Sequence, residues 1–250
     1  MRTVETPRAR YRQVADELRE EIKRGTYPPG SMLPSQPELA RKYGLNQTSI
    51  NRAIQILRAE GLVRVEHGRG AFVQEIPRVK RVRRIPHRSE SGSSFAEEVR
   101  KAGLTPRAPL VDLRTIPAPS SVADRLGIPE NDPVVMRKRH MFAGERPVQL
   151  ATSYIPLAIA GSEEIALPDT GPTGLYQRLS ERGYKITRFV EEIEVRHPTS
   201  EEAEFLQLTE TQQVLEVTRI AYTADNVAAE TVINVFPSQH WKLSYEWAAE

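Results

Sequence analysis

Between Tyr11 and Val73 glycines cut the apolar pattern into three short helical stretches, after which it switches to alternation. Few folds accept that order. In YRQVADELREEIKRG, Tyr11, Val14, Ala15, Leu18 and Ile22 recur at the i, i+3, i+4, i+7 and i+11 spacing of one helix face, and Gly25 ends the run. A turn-rich connector, TYPPGSMLP, follows. Ser35 with Glu38 makes a capping box, which predicts a second helix over Gln36–Tyr43 that buries Leu39, Ala40 and Tyr43 and stops at Gly44. Asn46 is a good N-cap for a third helix, with Ile50, Ala53, Ile54 and Leu57 facing inward and Gly61 closing it. LVRVEHGRGAFVQ then reads as two strands joined by a glycine-rich turn. Helix, helix, tight turn, helix and hairpin within about 65 residues describe a helix-turn-helix with a basic wing.

Charge is divided along the chain. Residues 1–90 hold 19 Lys and Arg against 10 Asp and Glu, whereas the remaining residues hold 16 against 23. A basic first third on an acidic remainder fits one module for a polyanion and a second for something else. Between them, residues 76–92 (IPRVKRVRRIPHRSESG) lack a clear period and are expected to be an interdomain linker; the alternative is part of a strand, since Val79, Val82 and Ile85 can pair. Beyond residue 92 short helices (SFAEEVRKAGL, SSVADRLGI, GLYQRLSERG, SEEAEFLQL) alternate with strands. Two long hairpins are expected to turn at Ala143–Arg146 and near Asp225–Asn226, and KITRFVEEIEVR alternates like a further strand. The expected class is α+β, with a mainly antiparallel sheet flanked by helices over residues 93–250.

Several chemistries find no support. The chain has no cysteine, which excludes disulfides, thiolate metal sites and a cysteine nucleophile. Its five histidines (67, 87, 140, 197 and 240) have no metal-ligand spacing, and no G-x-S-x-G elbow occurs, so neither a metal, a cofactor nor a catalytic residue is expected. No run of 18 apolar residues occurs, and MRTVETPRARYRQ lacks the apolar core of a signal peptide, so a cytoplasmic protein is expected.

The third helix opens with Asn46, Gln47, Thr48, Ser49 and Asn51. Capping needs one of them. Hydroxyls beside free backbone N–H groups suit phosphate oxygens, and amides suit base edges. Arg52, Arg64, Arg69, Arg41 and Lys42 supply the clustered positive charge that phosphates reward, though each is also an ordinary surface charge. With Ser35 and Gln36 at the second helix and His67, Gly68 and Arg69 in the wing, these residues form the candidate DNA interface. His67 either touches the minor groove or only shapes the turn.

PPGSMLPSQPELARKYGLNQTSINRAIQILRAEGLVRVEHGRGAFV resembles the winged helix-turn-helix of the GntR family of bacterial transcription regulators. SSFAEEVRKAGLTP, ADRLGIPENDPVV, ERPVQLATSYIP, GLYQRLSERGYKITR and AEFLQL resemble the UTRA effector domain of its HutC subfamily, whose fold is similar to chorismate lyase. The resemblance implies a DNA-binding domain over 1–75 and an effector-binding and dimerisation domain over 93–250. It implies a homodimeric repressor on a near-palindromic DNA operator, modulated by a small-molecule effector. Ser94, Ser153, Tyr154 and Glu230 match positions that line the effector pocket. Arg137 and Arg139, two apart on one strand, either receive an anionic ligand or pair with acids on a solvated face. Pro37, Gln47 and Asn51 stand where relatives carry arginine; Met141 and Ala151 stand where sugar-phosphate-binding relatives carry arginine and glutamate. An effector less charged than a sugar phosphate is therefore expected. The competing readings are a constitutive repressor and a chorismate-lyase-like enzyme with a DNA-binding head.

Overall fold

The computed structural model describes residues 9–74, 79–85, 95–167, 174–209, 211–239 and 241–247. The chain separates into two compact units, divided at Pro77 and Arg78, with the short segment Leu208–Gln212 grouping with the first.

The first unit contains α1 (Arg10–Lys23), α2 (Gln36–Tyr43), α3 (Gln47–Ala59) and the hairpin β1 (Val63–Glu66) with β2 (Gly70–Val73). Leu18, Leu39, Ile50 and Leu57 are wholly buried in its core, joined by Leu33, Val63 and Val73. Both expected caps form. The Ser35 hydroxyl accepts from the Glu38 N–H while Glu38 reaches back to the Ser35 N–H at 2.8 Å, and the Asn46 side chain accepts from the Ser49 N–H at 2.8 Å. Gly44 closes α2 in the left-handed region at φ 59°, where a Cβ is disfavoured. The turn from α2 into α3 is therefore short, and α3 carries its polar residues exposed.

The second unit is built on a seven-stranded antiparallel sheet. Its strands are β4 (Pro106–Arg107), β5 (Leu110–Pro117), β6 (Pro133–Ala143), β7 (Arg146–Pro156), β8 (Ile186–Arg196), β9 (Val214–Thr223) and β10 (Ala228–Pro237). The order is β4-β6-β7-β10-β9-β8, with β5 also paired to β6. The two expected hairpins are β6–β7 and β9–β10, and Gly144 and Asn226 take the positive φ that their turns need. The helices are α4 (Phe95–Lys101), α5 (Ser120–Leu126), α6 (Leu157–Ala160), α7 (Gly174–Glu181) and α8 (Ser200–Leu206), with a 3₁₀ turn at Glu163–Ala166.

One expectation is corrected here. Part of the segment expected as linker, Val79–Ile85, is a strand (β3) that pairs in parallel with β11 (Trp241–Trp247), residue for residue from Val79 opposite Trp241 to Ile85 opposite Trp247. The pairing partner lies some 160 positions away, so no local pattern announces it. The strand alternative, based on Val79, Val82 and Ile85, describes this stretch better than a free tether does.

Alternation along the strands divides the sheet into two faces. On one, Val134, Tyr154 and Ile220 pack beneath α5 through Val122, Ala123 and Leu126. On the other, Val135 and Ile155 pack beneath α6 and α7 at one end, and Val217 and Phe236 pack against Val99 of α4 and Trp241 of β11 at the other. The Trp241 indole N–H donates to the Val148 carbonyl at 2.7 Å, which fixes β11 against the sheet. Between these two apolar covers the second face turns polar.

Candidate nucleic-acid interface and effector site

Helix α3 buries Ile50, Ala53, Ile54 and Leu57, and the opposite side carries Gln47, Thr48, Asn51, Arg52 and Gln55, all exposed. Those five recur at i, i+1, i+4, i+5 and i+8, one helical stripe. Ser49 is half-buried. Gln55 was missed by the sequence reading, although its place four residues beyond Asn51 and eight beyond Gln47 announces it. Its side-chain amide approaches Asn51 Oδ1 at 3.5 Å, so both amides lie along one ridge. Arg52 lies at 6.0 Å from the Tyr11 ring centroid and is otherwise open to solvent.

The remaining candidates divide. His67, Gly68 and Arg69 form the exposed tip of the β1–β2 hairpin, and Gly68 supplies the positive φ of 72° that closes it. Arg64 and Arg69 both pair with Glu66. Ser35 is exposed but committed: its hydroxyl donates to the Glu38 carboxylate at 2.7 Å, and these bonds hold Glu38 below the ordinary carboxylate range. Gln36 is half-buried at the first turn of α2. Lys42 is tied to Glu21 at 3.0 Å, while Arg41 faces solvent.

In the second unit the polar face is one row of registered pairs. Arg137 lies opposite Ser153, Ser153 opposite Val232, Val232 opposite Arg219, and Arg219 opposite Glu191. Arg139, two residues along β6, and Glu230, two along β10, share that face. Arg137, Ser153 and Glu230 are buried and Arg139 is half-buried. The Nε atoms of Arg137 and Arg139 are both out of contact with solvent and without a hydrogen-bond partner among the described residues. Burial, then the neighbouring Arg139 charge, pushes the Arg137 guanidinium down to about 10, with Glu230 pulling the other way; Arg139 is lowered by burial too. Arg137 therefore remains cationic at neutral pH. Of the two sequence readings for this pair, the solvated face does not describe Arg137, which is buried.

Around this pair the polar groups are connected. Tyr176 of α7 lies beside Glu230 and Arg219, and burial lifts its phenol well above the ordinary range. Arg219 Nε donates to Glu191 at 2.9 Å, and the Tyr245 hydroxyl of β11 donates to the other Glu191 oxygen at 2.9 Å. Next to Arg139, Gln149 donates to Asn234 at 2.7 Å, and Asn234 donates to the Val217 carbonyl at 3.2 Å. Tyr176, Arg219, Glu191 and Tyr245 were all missed; the register pairs Arg219 with Glu191, and tertiary packing brings in Tyr176 and Tyr245.

Two grouped expectations fare differently. Tyr154 does not join Ser153, Arg139 and Glu230: adjacent strand residues point to opposite faces, and Tyr154 packs in the apolar cluster under α5, where burial raises its phenol. Ser94 lies outside the described residues.

No helix among the described residues is long and apolar enough to cross a membrane. Among the same residues no cluster of His, Asp and Glu suits a metal ion.

Comparison with known proteins agrees with this architecture. Residues 10–73 match the model of bacterial regulatory proteins of the gntR family, and residues 101–242 match the UTRA domain. An HTH-type transcriptional regulator of Streptomyces coelicolor is 30% identical, covering 95% of this chain and 92% of its own. The repressor NagR of Bacillus subtilis is 27% identical over 90% of this chain and 89% of its own. The mannosyl-D-glycerate transport/metabolism system repressor MngR of Escherichia coli is 24% identical over 94% of each. Among solved structures, a GntR-family regulator superposes with a TM-score of 0.66 at 27% identity over 97% of this chain and 99% of its own. PhnF of Mycobacterium smegmatis gives 0.60 at 21% over 96% and 100%. The relatives are transcriptional regulators and not enzymes. With a winged helix over its first third and a small-molecule effector domain over the rest, the chain belongs to the GntR family of DNA-binding transcriptional regulators, in its UTRA-containing branch.

Proposed function

We propose that this protein is a homodimeric cytoplasmic repressor whose grip on a near-palindromic operator is set by a small anionic effector. A two-fold dimer presents two α3 helices one helical turn of DNA apart, and a near-palindrome matches that symmetry. Gln47 and Asn51 would read base edges, helped by Gln55. Thr48, Ser49, Arg52 and the wing residues His67, Gly68 and Arg69 would hold the backbone, with Ser35 and Gln36 at its margin.

The observation that carries the effector reading is the pair Arg137, buried, and Arg139, half-buried, each with an Nε that has no hydrogen-bond partner among the described residues, beside a buried Glu230. Guanidinium groups left so are costly until an anion pairs with them. Arg137 and Arg139 against Glu230 carry one positive charge in surplus, Arg219 being neutralised by Glu191, and Arg178 adds to the positive field at Arg137. The effector that fits is a monoanion carrying hydroxyl or amine donors for Glu230, with Ser153 beside it: a hydroxy- or aminocarboxylate. D-glycerate, part of the name of one relative, belongs to that class. Effector binding would redistribute the Glu230–Tyr176–Arg219–Glu191 network, which Tyr245 carries into β11 and so to β3, the first strand after the DNA-binding unit. The change would shift the population between head spacings that do and do not fit the operator.

Calorimetry of the full chain against hydroxycarboxylates, amino acids and glucosamine-6-phosphate tests this. Micromolar binding of a monoanion is the expected result. Micromolar binding of glucosamine-6-phosphate, or of a neutral sugar with no loss in Arg139→Ala, would sink the assignment. Sedimentation of the full chain at micromolar concentration should give a dimer.

A further inference from the structure

The wing carries one acidic side chain for which DNA contact has no evident use. Glu66 ends β1, and each of its carboxylate oxygens takes one guanidinium, Arg64 on Oε1 and Arg69 on Oε2. The register shows why they meet. Arg64 and Glu66 are two apart on one strand and share a face; Phe72 stands directly across from Arg64, and Gly70, without a side chain, across from Glu66. The turn brings Arg69 back over the same spot, its backbone N–H donating to the Glu66 carbonyl at 3.0 Å. Both guanidinium groups lean on the Phe72 ring, 4.9 and 5.5 Å from its centroid. Glu66 is largely covered, at 22% exposure, whereas its partners remain open at 49% and 72%.

We infer that Glu66 is a built-in competitor for phosphate, which occupies the wing arginines in the free protein and suppresses binding to non-operator DNA. This rests on the proposed reading of the wing as a DNA contact. A carboxylate shared by two guanidinium groups offers the same charge-assisted pairing as a phosphate. To neutralise phosphates, Arg64 and Arg69 must exchange Glu66 for them or share themselves between the two. In both cases a carboxylate is left close to a polyanion, and the three residues present one net positive charge where two arginines alone would present two. Counterion release from the wing is diminished accordingly. On the operator, base contacts from α3 hold the hairpin in the groove and offset this cost. On random sequence nothing does, so the penalty falls mainly on non-specific binding, and specificity rises although affinity does not.

The test uses the full chain and its Glu66→Gln variant, which keeps the shape and removes the charge. Binding to a random-sequence duplex, and to an operator recovered by selection, is followed by fluorescence anisotropy at several salt concentrations. Glu66→Gln should bind random duplex roughly two- to tenfold more tightly, with a salt slope steeper by about one unit, and gain less on the operator. Glu66→Ala, a second removal of the charge, should move in the same direction. The variants Arg64→Gln and Arg69→Gln report on the wing itself. If they leave both affinities unchanged, the wing does not touch DNA, and both readings fall. If they weaken binding while Glu66→Gln leaves random-duplex affinity unchanged or lowers it, the wing reading survives and the competitor is overturned, Glu66 then being a group that positions the arginines.

Discussion

The outer stripe of α3 and the inner face of the second sheet both carry polar side chains that their folds do not require, but under opposite conditions. Gln47, Thr48, Asn51 and Arg52 are exposed, and water satisfies them when DNA is absent. Arg137 and Glu230 are buried and Arg139 is half-buried, and among the described residues the two arginine Nε atoms have no hydrogen-bond partner. The first surface costs the free protein nothing and waits for its partner. The second costs stability until a ligand arrives. Substitutions should therefore separate the two: function lost without stability change on α3, function lost with stability kept or gained on the sheet.

The largest effect is expected on the buried face. Arg139→Met replaces a half-buried cation by an apolar chain of similar length. It should weaken effector binding by roughly 2–5 kcal/mol, because the ligand anion loses a desolvated partner. The ligand-free protein should melt at the same temperature or higher, since removing an unpaired buried charge is neutral or stabilising. Calorimetry with the monoanion that binds wild type, and scanning calorimetry without it, give the two readouts. A sharp fall in the melting temperature of the ligand-free variant would break the comparison, showing that Arg139 is structural.

On α3 the expected effect is smaller and confined to DNA. Asn51→Ala or Gln47→Ala should cost roughly 1–3 kcal/mol of operator affinity and relax preference at one or two base pairs, because an amide reads adenine in a bidentate manner. Each half-site should hold A·T pairs where arginine-bearing relatives read G·C. Arg52→Ala should weaken all sequences alike and flatten the salt slope by about one unit. Unfolding midpoints should remain those of wild type. Equal loss on every sequence for Asn51→Ala would reassign Asn51 to the backbone.

The same contrast explains what the sequence disclosed. The first unit was legible nearly residue by residue, because its signals are local: a capping box at Ser35 and Glu38, an N-cap at Asn46, a left-handed stop at Gly44, and stripes at helical spacing. Both hairpins of the second unit were legible as well, since Gly144 and Asn226 mark their turns. The β3–β11 pairing, the partnership of Arg219 with Glu191, and the reach of Tyr245 to Glu191 join residues distant in sequence, and nothing local encodes them. Tyr154 was misgrouped for a different reason: sitting next to Ser153 in a motif suggests a shared role, and the pleat sends the two side chains to opposite faces.

If the network from Glu230 to Tyr245 carries the effector signal, Tyr245→Phe should leave effector and operator affinities, measured separately, near wild type. It should reduce the change that one ligand makes in the other's affinity by roughly 0.5–2 kcal/mol. Operator titrations with and without saturating effector measure that coupling. Full coupling retained in Tyr245→Phe would remove β11 from the path.

The smallest effect is expected at a residue that either a helix cap or the DNA-facing surface could claim, Ser35. It is exposed and lies at the start of α2, yet its hydroxyl and N–H are both bound to Glu38. A capping serine lost to alanine costs about 1 kcal/mol of stability. Ser35→Ala should therefore lower the unfolding midpoint of the first unit slightly and change operator affinity little. Titration supplies an independent check. Glu38 is held below its ordinary value of 4.5 by the bonds from Ser35, so the stability it lends is present at neutral pH and is lost as pH falls through that depressed value. Without the hydroxyl the carboxyl should titrate closer to 4.5, visible in the Glu38 side-chain carbon resonance. An unshifted Glu38 together with a large loss of operator affinity would move Ser35 from the helix cap to the DNA interface.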